Sequence, residues 1–325
     1  MKSAHSDADR PDPASAVGRR WVSLAALAST LLLLVAGCGL GAGRGTSDVT
    51  LTVTRDFGSV RLNLLVEHRV PGAETVMRML ERRFNVSTRY GGGFVESIDG
   101  LAGSSGHRDW FYYVNGVQAS QGAATTAVHK GDRVWWDLHD WIASLSSPAV
   151  VGSFPEPFLH GVGGKRLPTT IECAADADQA CRRVSTELAG LGVPVASQVI
   201  GTAAGTDSLA VVVGTWRDLA GTFIAGLIDQ GPATSGVYAR FSGQGGSSLQ
   251  LLGAHGEIVH ALGAGAGLVA ATTQGSAEPT WVITGTDPAG VSAAAAALTP
   301  ARLSDHFALA VQNSTDTPLP VPGGS

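Results

Sequence analysis

The sequence predicts an α+β fold made of two domains, and three observations lead to this prediction. Residues 48–142 contain several short segments with the alternation or apolar character of strands, together with one helical stretch. Residues 169–312 alternate short apolar strands with helices, as an α/β domain does. Between them, residues 143–168 are crowded with proline and glycine, which break both periodicities and predict a linker.

The first domain contains five predicted strands and one helix. Val49–Thr54 and Val60–Val66 are separated by a short turn and are expected to form a hairpin. Thr75–Phe84 is expected to be helical, because its apolar side chains fall at the three- and four-residue spacing of one helix face. Further extended segments follow at 88–98, 110–114 and 128–141. One helix crossing such a mixed sheet is the arrangement of a β-grasp fold, which we predict for this domain.

In the second domain, predicted strands and helices alternate. Helices are expected over the segments 176–191, 216–229 and 287–298. Strands are expected at 169–171, 193–200, 209–213, 238–241, 249–252, 268–272, 281–284 and 307–311. The strand Leu209–Val213 is apolar at every position, which predicts a sheet that is covered on both faces.

The sequence of the second domain contains no recognisable catalytic motif. It lacks a Gly-x-Ser-x-Gly elbow, a phosphate-binding loop and a His-Glu-x-x-His helix. The glycine-rich stretch 263–267 has neither the spacing nor the preceding strand of a dinucleotide site. His255, His260 and His306 have no evident catalytic partners near them in sequence, so we interpret them as ordinary polar residues and predict that the protein is not an enzyme.

The N-terminus has the pattern of an exported protein. Arg19 and Arg20 precede an apolar run over residues 22–36, which ends at small residues. This run is shorter than the ~20 residues of a transmembrane helix. It therefore predicts a signal peptide over residues 1–37. The arginine pair leaves two export routes open, the general secretory route and the twin-arginine route.

The signal peptide ends in Val35-Ala36-Gly37-Cys38, which resembles the lipobox of bacterial lipoproteins. In that family the cysteine is diacylated and becomes the N-terminus after cleavage. The resemblance implies a lipid on Cys38, a flexible tether over residues 38–47 and a location on the extracytoplasmic side of the cell membrane. The alternative is an ordinary secretory signal with a chance cysteine.

Composition excludes one class of function and leaves one cysteine pair. The net charge of −5 and the absence of a basic stripe argue against nucleic-acid binding.

With Cys38 used by the lipid, Cys173 and Cys181 remain, and cysteine pairs outside the cytoplasm tend to be oxidised. The alternatives are free thiols or metal ligands, but no His or Cys at ligand spacing accompanies them. We therefore favour a disulfide, predict no metal site, and expect the tail 313–325 to be disordered.

Two motifs in the first domain resemble a known family. They are Asp109–Gly116, with the sequence DWFYYVNG, and Lys130–Trp136, with the sequence KGDRVWW. The pair is similar to the domain family named for its likeness to the C-terminal domain of transcobalamin, whose pattern is Trp-x-Tyr-x-Val-Asn-Gly followed by Gly-Asp-x-Val-x-Trp. In transcobalamin and intrinsic factor that domain covers one side of bound cobalamin. The resemblance spans the first domain only, and it implies a β-grasp fold and a corrinoid as one candidate ligand.

Strand alternation sorts the aromatic residues of the first domain onto two faces of its sheet. One face is interpreted as core and carries Trp110, Tyr112, Val114, Val134, Trp136 and Leu138. The opposite face is the candidate binding face and carries Phe111, Tyr113, Trp135, Asp137, His139 and Trp141. A sheet with one covered face should be polar on the other, so these aromatics need an explanation.

Three explanations of the candidate binding face stay open at this point. The second domain or the linker covers it, it is a recognition surface for a ligand or partner, or its aromatics are isolated on the surface. A lone histidine is more often a hydrogen-bonded surface group than a ligand, so we do not assign His139 to a metal or a corrinoid cobalt.

These features predict a lipid-anchored extracytoplasmic protein that acts as a non-catalytic binding module for a small ligand, with a corrinoid as one candidate. The alternative is a structural or protein-interaction lipoprotein of the cell envelope, in which the aromatics hold the two domains together. The expected partners are the membrane, through the lipid, and either a small molecule or an envelope protein.

Overall fold

The computed structural model describes residues 48–104, 106–202, 207–273 and 277–322. The predicted signal peptide, the lipid site at Cys38 and the tether all lie outside the described residues. Among the residues described, no helix is both long enough and apolar enough to span a membrane. The α+β fold class is confirmed, because strands in several sheets predominate and the helices are few.

The first half of the chain is built on a five-stranded sheet. Its elements are β1 (Val49–Arg55), β2 (Val60–Glu67), α1 (Val76–Glu81), β3 (Val86–Arg89), β4 (Phe94–Ile98), β5 (Leu101–Ala102), β6 (Arg108–Val114), β7 (Val117–Gln118) and β8 (Arg133–Asp140). The main sheet has the order β2-β1-β8-β6-β7, and β3, β4 and β5 form a separate small sheet. Within the main sheet, β1 runs parallel to β8, and the other neighbouring strands are antiparallel.

Alternation along β1 produces the core of the first half. Val49, Leu51 and Val53 all point toward α1 and are buried with its apolar stripe. The side chain of Thr75 caps the helix by accepting a hydrogen bond from the Arg78 backbone N–H. The helix ends at Glu81, earlier than predicted, and Phe84 packs against the core from the turn that follows.

The second half contains a seven-stranded sheet with helices on both faces. Its elements are β9 (Thr169–Cys173), α2 (Asp178–Gly190), β10 (Val195–Val199), β11 (Leu209–Thr215), α3 (Trp216–Leu219), α4 (Phe223–Asp229), α5 (Pro232–Ser235), β12 (Ala239–Ser242), β13 (Ser248–Leu252), β14 (Ile258–Leu262), β15 (Gly267–Thr272), β16 (Thr280–Gly285), α6 (Pro288–Ala297), α7 (Pro300–Leu303), β17 (Ala308–Gln312) and β18 (Thr315–Leu319). The sheet order is β10-β9-β11-β16-β15-β17-β18, and the first four strands run parallel. β12, β13 and β14 form a separate antiparallel sheet.

The central strand β11 is buried at every position, as its apolar sequence predicts. On one face of the sheet, α2 and α6 complete a core with residues such as Val184 and Ala294. On the other face, α3 and α4 complete a second core with residues such as Leu219 and Ile228.

Several other segments also differ from their predictions. The single helix expected over 216–229 is two short helices, because Thr222 caps α4 by accepting from the Ala225 N–H. The tail expected to be disordered contains β18, which pairs with β17 after a turn at Asn313 and Ser314, both with positive φ. The predicted linker is mostly interior between Ala149 and Phe158.

We call the predicted linker, residues 143–168, the connecting segment, and it contacts both halves of the protein. Val150 donates its N–H to the Gly116 carbonyl of the first half at 2.8 Å. Val151 donates to the Phe307 carbonyl of the second half at 3.2 Å. Phe154 and Phe158 are buried against Trp281 of β16. Both halves accordingly belong to one unit, residues 44–325.

Cys173 and Cys181 form a disulfide in the structure. The bond joins Cys173 at the end of β9 to Cys181, the fourth residue of α2, and confirms the predicted pairing.

Candidate functional site

The candidate binding face lies in the interior of the protein. Tyr113, Trp135, Asp137 and His139 are each at most 2% exposed, whereas Phe111 and Trp141 are partly exposed. The second half covers the face at its four central residues, which are therefore not an open recognition surface. Of the three explanations that the sequence allowed, burial against the second half is the one found.

Phe307 of the second half is the residue that enters the aromatic face. Its ring meets the rings of Tyr113 and Trp135 edge-on, at centroid distances of 5.5 and 5.3 Å. It also meets His139 at 5.2 Å. His139 is itself stacked between Phe57 at 4.5 Å and Phe111 at 4.4 Å. Edge-on and offset arrangements of this kind are favourable because ring edges are positive and ring faces negative.

Asp137 lies at the centre of this contact and is fully buried. Its carboxylate accepts hydrogen bonds from the Phe57 N–H at 3.1 Å, the Gly58 N–H at 2.9 Å and His139 Nδ1 at 2.8 Å. The Thr54 hydroxyl donates a fourth bond. Thr54 Oγ1 in turn accepts the indole N–H of Trp135 at 2.7 Å. The residues that form these ring contacts and the Asp137 hydrogen bonds are called the junction: Thr54, Phe57, Tyr113, Trp135, Asp137, His139 and Phe307.

The turn between β1 and β2 fits only a glycine at position 58. Gly58 has a φ of +79°, and a Cβ there would lie 1.8 Å from the Asp305 carbonyl oxygen of the second half. The same turn directs the Phe57 and Gly58 N–H groups at Asp137.

Trp141 lies outside the junction. Its indole N–H donates to Asp109 at 2.8 Å, and its ring meets His107 edge-on at 4.7 Å.

Burial raises the pKa of Tyr113 well above its usual value, and the nearby Asp137 and Tyr238 raise it further. The phenol therefore remains neutral at any physiological pH.

The two sequence motifs meet through Asn115 and Asp132, which are both buried. Asn115 Nδ2 donates to Asp132 Oδ1 at 2.9 Å and to the Gly161 carbonyl at 2.8 Å. Asn115 Oδ1 accepts from the Arg133 N–H at 2.8 Å. Burial raises the pKa of Asp132, against the lowering effect of the His129 N–H bond. The motif residues thus join the β6–β7 turn, the start of β8 and the connecting segment.

A cavity of about 750 Å³ opens at the β7 edge of the first sheet. It is formed by β7 and the residues after it, by the connecting segment, and by both ends of the β15–β16 connection. Its polar lining side chains are Gln118, Ser120, Gln121, Thr126, His129, Ser146, Thr273 and Glu278. We call this cavity the edge cleft. The sequence did not indicate it, because its walls come from three separate parts of the chain.

Hydrogen bonds hold the walls of the edge cleft in place. Gln118 donates its N–H to the Pro148 carbonyl at 3.0 Å, and its side-chain oxygen accepts from Ser146 Oγ at 2.6 Å. The Tyr112 hydroxyl lies 2.8 Å from Thr126 Oγ1. Among the described lining residues, only His129 and Glu278 are titratable. Burial raises the pKa of Glu278, which favours its neutral form.

The described residues contain no cluster of three or more His, Cys, Asp or Glu side chains that could hold a metal ion.

Residues 73–140 match the family model of a domain of unknown function, DUF4430. The matched segment begins before α1, ends with β8 and includes both sequence motifs.

Comparison with other proteins adds one structural likeness. The search of curated proteins found no match. Among solved structures, the chain is similar to the crystal structure of a protein from Ruminococcus gnavus that is provisionally described as metal binding. The identity is 21% and the TM-score 0.25, over 29% of this chain and 97% of that one.

Replacing Asp137 by asparagine should lower the free energy of unfolding by about 2–4 kcal/mol, because buried donors lose their charged acceptor. Urea denaturation of the wild-type and variant chains measures this difference. The matched control is Asp178→Asn, an exposed carboxylate on α2, which should change stability by less than ~0.5 kcal/mol. Equal loss of stability in the two variants would contradict the role given to Asp137.

Proposed function

We propose that this protein is a lipid-anchored extracytoplasmic lipoprotein that binds a small uncharged molecule in the edge cleft without catalysing a reaction. The observation that carries the proposal is the cleft itself. Its volume of about 750 Å³ lies within the ~300–1,000 Å³ typical of small-molecule sites. Its walls come from both halves of the protein, so the cleft forms where the two halves pack together.

The lining of the cleft favours a neutral ligand with several hydrogen-bonding groups. Amides and hydroxyls supply both donors and acceptors, as from Gln118, Gln121 and Thr126. Val117 and Pro148 add apolar contact area. A charged ligand would meet few opposite charges, since His129 and Glu278 are the only ionisable side chains among the described lining residues.

We further infer that the first half is a β-grasp-like module related to the transcobalamin-like domains. The parallel pairing of β1 with β8 and the packing of α1 across the sheet support this inference. The corrinoid hypothesis rested partly on the aromatic face, which the second half now occupies. A corrinoid would therefore have to use the edge cleft, and cyanocobalamin becomes one probe of it.

The proposed lipid anchor rests on the lipobox pattern and on the use of the other cysteines. Cys173 and Cys181 bond to each other, so Cys38 is the remaining thiol of the three. Two acyl chains on one residue supply the two hydrophobic anchors that stable membrane attachment requires.

A second candidate function is that of a structural or protein-interaction lipoprotein with no small ligand. The observation that favours it is the junction, where the aromatics hold the halves together as this alternative requires. Ligand binding in the edge cleft separates the two candidates.

The anchor is tested by mass spectrometry of the full chain expressed in a bacterium and recovered from membranes. The N-terminal peptide should begin at Cys38 and carry diacylglycerol, and Cys38→Ser should abolish both the cleavage and the modification. The double variant Cys173→Ser/Cys181→Ser is the control and should keep the lipid. An unmodified Cys38 in the mature wild-type chain would contradict the anchor.

The ligand class is tested by calorimetric titration of the chain from Gly39 with matched probes. We expect neutral N-acetylglucosamine, glucose or cyanocobalamin to bind with a Kd below about 1 mM, and charged glucosamine and gluconate to bind more weakly. Ser120→Trp, which fills the cleft, should weaken binding about tenfold or more.

The control for the filling variant is Ala261→Trp on the exposed strand β14, which should leave binding unchanged. If no neutral probe binds, or if Ser120→Trp has no effect, the edge cleft is not the site and the interaction function is favoured.

A further inference from the structure

Three aliphatic side chains are exposed in a row on β2. Leu62, Leu64 and Val66 are 44%, 47% and 54% exposed, respectively. We call them the β2 strip. Isolated exposed apolar residues need no explanation, but three on one short strand form a patch of the kind that marks an interaction surface.

The position of β2 in the sheet explains why the strip is uncovered. β2 is an edge strand, and its alternate residues Leu65 and Glu67 face the core beside α1. Leu64 and Val66 are paired with Thr52 and Thr50 and face the opposite way. Because neighbouring strands twist by roughly 20–25°, the outer strand turns away from the second half, which covers the centre of the same face.

The strip begins beside the place where the described chain begins. Val49 is paired with Glu67, and Thr50 with Val66, so Asp48 lies close to the near end of the strip. Cys38 precedes Asp48 by ten residues, a chain length that spans at most ~36 Å. The strip itself extends only ~13 Å along the strand, at ~3.3 Å per residue. A lipid on Cys38 therefore keeps the whole strip within reach of the bilayer.

An exposed cation follows the strip toward the same end. Arg69 comes soon after β2 and is exposed, and the exposed His68 beside it has its Nδ1 3.3 Å from the Asp48 carboxylate. Arg61, at the far end, is already bonded to Asp305 and Ser304 of the second half. A row of aliphatics next to an arginine suits a lipid surface, where the aliphatics enter the acyl boundary and the cation meets phosphate.

We propose that the β2 strip is a membrane-contact surface, held against the outer face of the lipid bilayer by the short chain from Cys38. Leu62, Leu64 and Val66 enter the acyl boundary, and Arg69 binds headgroup phosphate. The strand's free backbone edge stays at headgroup level, where water satisfies its N–H and C=O groups. The inference rests on the proposed lipid anchor.

This orientation leaves the edge cleft accessible. β2 and β7 are the two opposite edges of the five-stranded sheet, and the cleft is lined by Val117 and Gln118 of β7. Four strand spacings of ~4.8 Å place these edges about 19 Å apart. A chain that rests on β2 therefore holds its cleft away from the bilayer and open to ligands in solution.

The test uses the chain from Gly39, which contains the whole unit 44–325, with an N-terminal hexahistidine segment bound to nickel-chelating lipid. The vesicles contain phosphatidylcholine and phosphatidylglycerol. A nitroxide is attached at Leu64→Cys, and in a matched chain at Ile258→Cys on β14, a site with 57% exposure. Power-saturation measurements then compare the collision rates of each nitroxide with oxygen, which concentrates in lipid, and with a water-soluble nickel complex.

The proposal predicts a shift toward oxygen at position 64 on vesicles, by about fivefold in the ratio of the two collision rates, and none at position 258. The ratio at position 64 should return to its solution value in the variant Leu62→Ser/Val66→Ser. Equal ratios at both positions on vesicles would overturn the proposal. Spin–spin broadening at position 64 without vesicles would also overturn it, because a second copy would then occupy the strip. Since nickel lipid supplies the tether, either failure leaves the lipidation of Cys38 as a separate question.

Discussion

A fully buried carboxylate is stable only when hydrogen-bond donors surround it, and Asp137 meets this requirement at the contact between the two halves of the protein. Its donors come from β1, from the turn after it and from His139 on its own strand. Only a glycine fits at position 58 of this turn, because a side chain there would clash with the backbone of the second half. Two of the donors to Asp137 therefore lie in a turn that borders the contact between the halves.

The aromatics around Asp137 then act as packing surface. Phe307 packs between Tyr113, Trp135 and His139. The connecting segment lies beside this contact and hydrogen-bonds to both halves through the backbone N–H groups of Val150 and Val151. Because this face is occupied, the proposed function places a small ligand in the edge cleft, at the opposite edge of the same sheet from the β2 strip. In this proposal the junction joins the halves at the centre of the sheet, and ligand binding and membrane contact lie at its two edges.

Local patterns in the sequence predicted the strands and the faces of the first half. The alternation of Trp110 and Tyr112 with Phe111 and Tyr113 correctly separated its own core from the face that meets the second half. The pairing of Cys173 with Cys181 also followed from the sequence, because the lipobox pattern predicted a lipid on the third cysteine, Cys38.

Contacts between distant parts of the chain could not be predicted in this way. Phe57 and Phe307 meet across 250 residues, and nothing in the sequence near either one indicates the other. Proline and glycine between 143 and 168 predicted a linker, yet Val150 is buried at the junction and Phe154 and Phe158 are buried in the core of the second half. The edge cleft was missed for the same reason, since its walls join only after the halves pack.

The dependence of the first half on the second is tested most directly by native-state hydrogen exchange on Phe307→Ala. Removing this ring from the second half should weaken the protection of amides in β1 and β8 as much as in β15 and β17, by about 3–5 kcal/mol in each. This result would show that both halves unfold as one unit through the junction. Protection lost only in β15 and β17, with β1 and β8 unchanged, would contradict it and show that the first half is stable on its own.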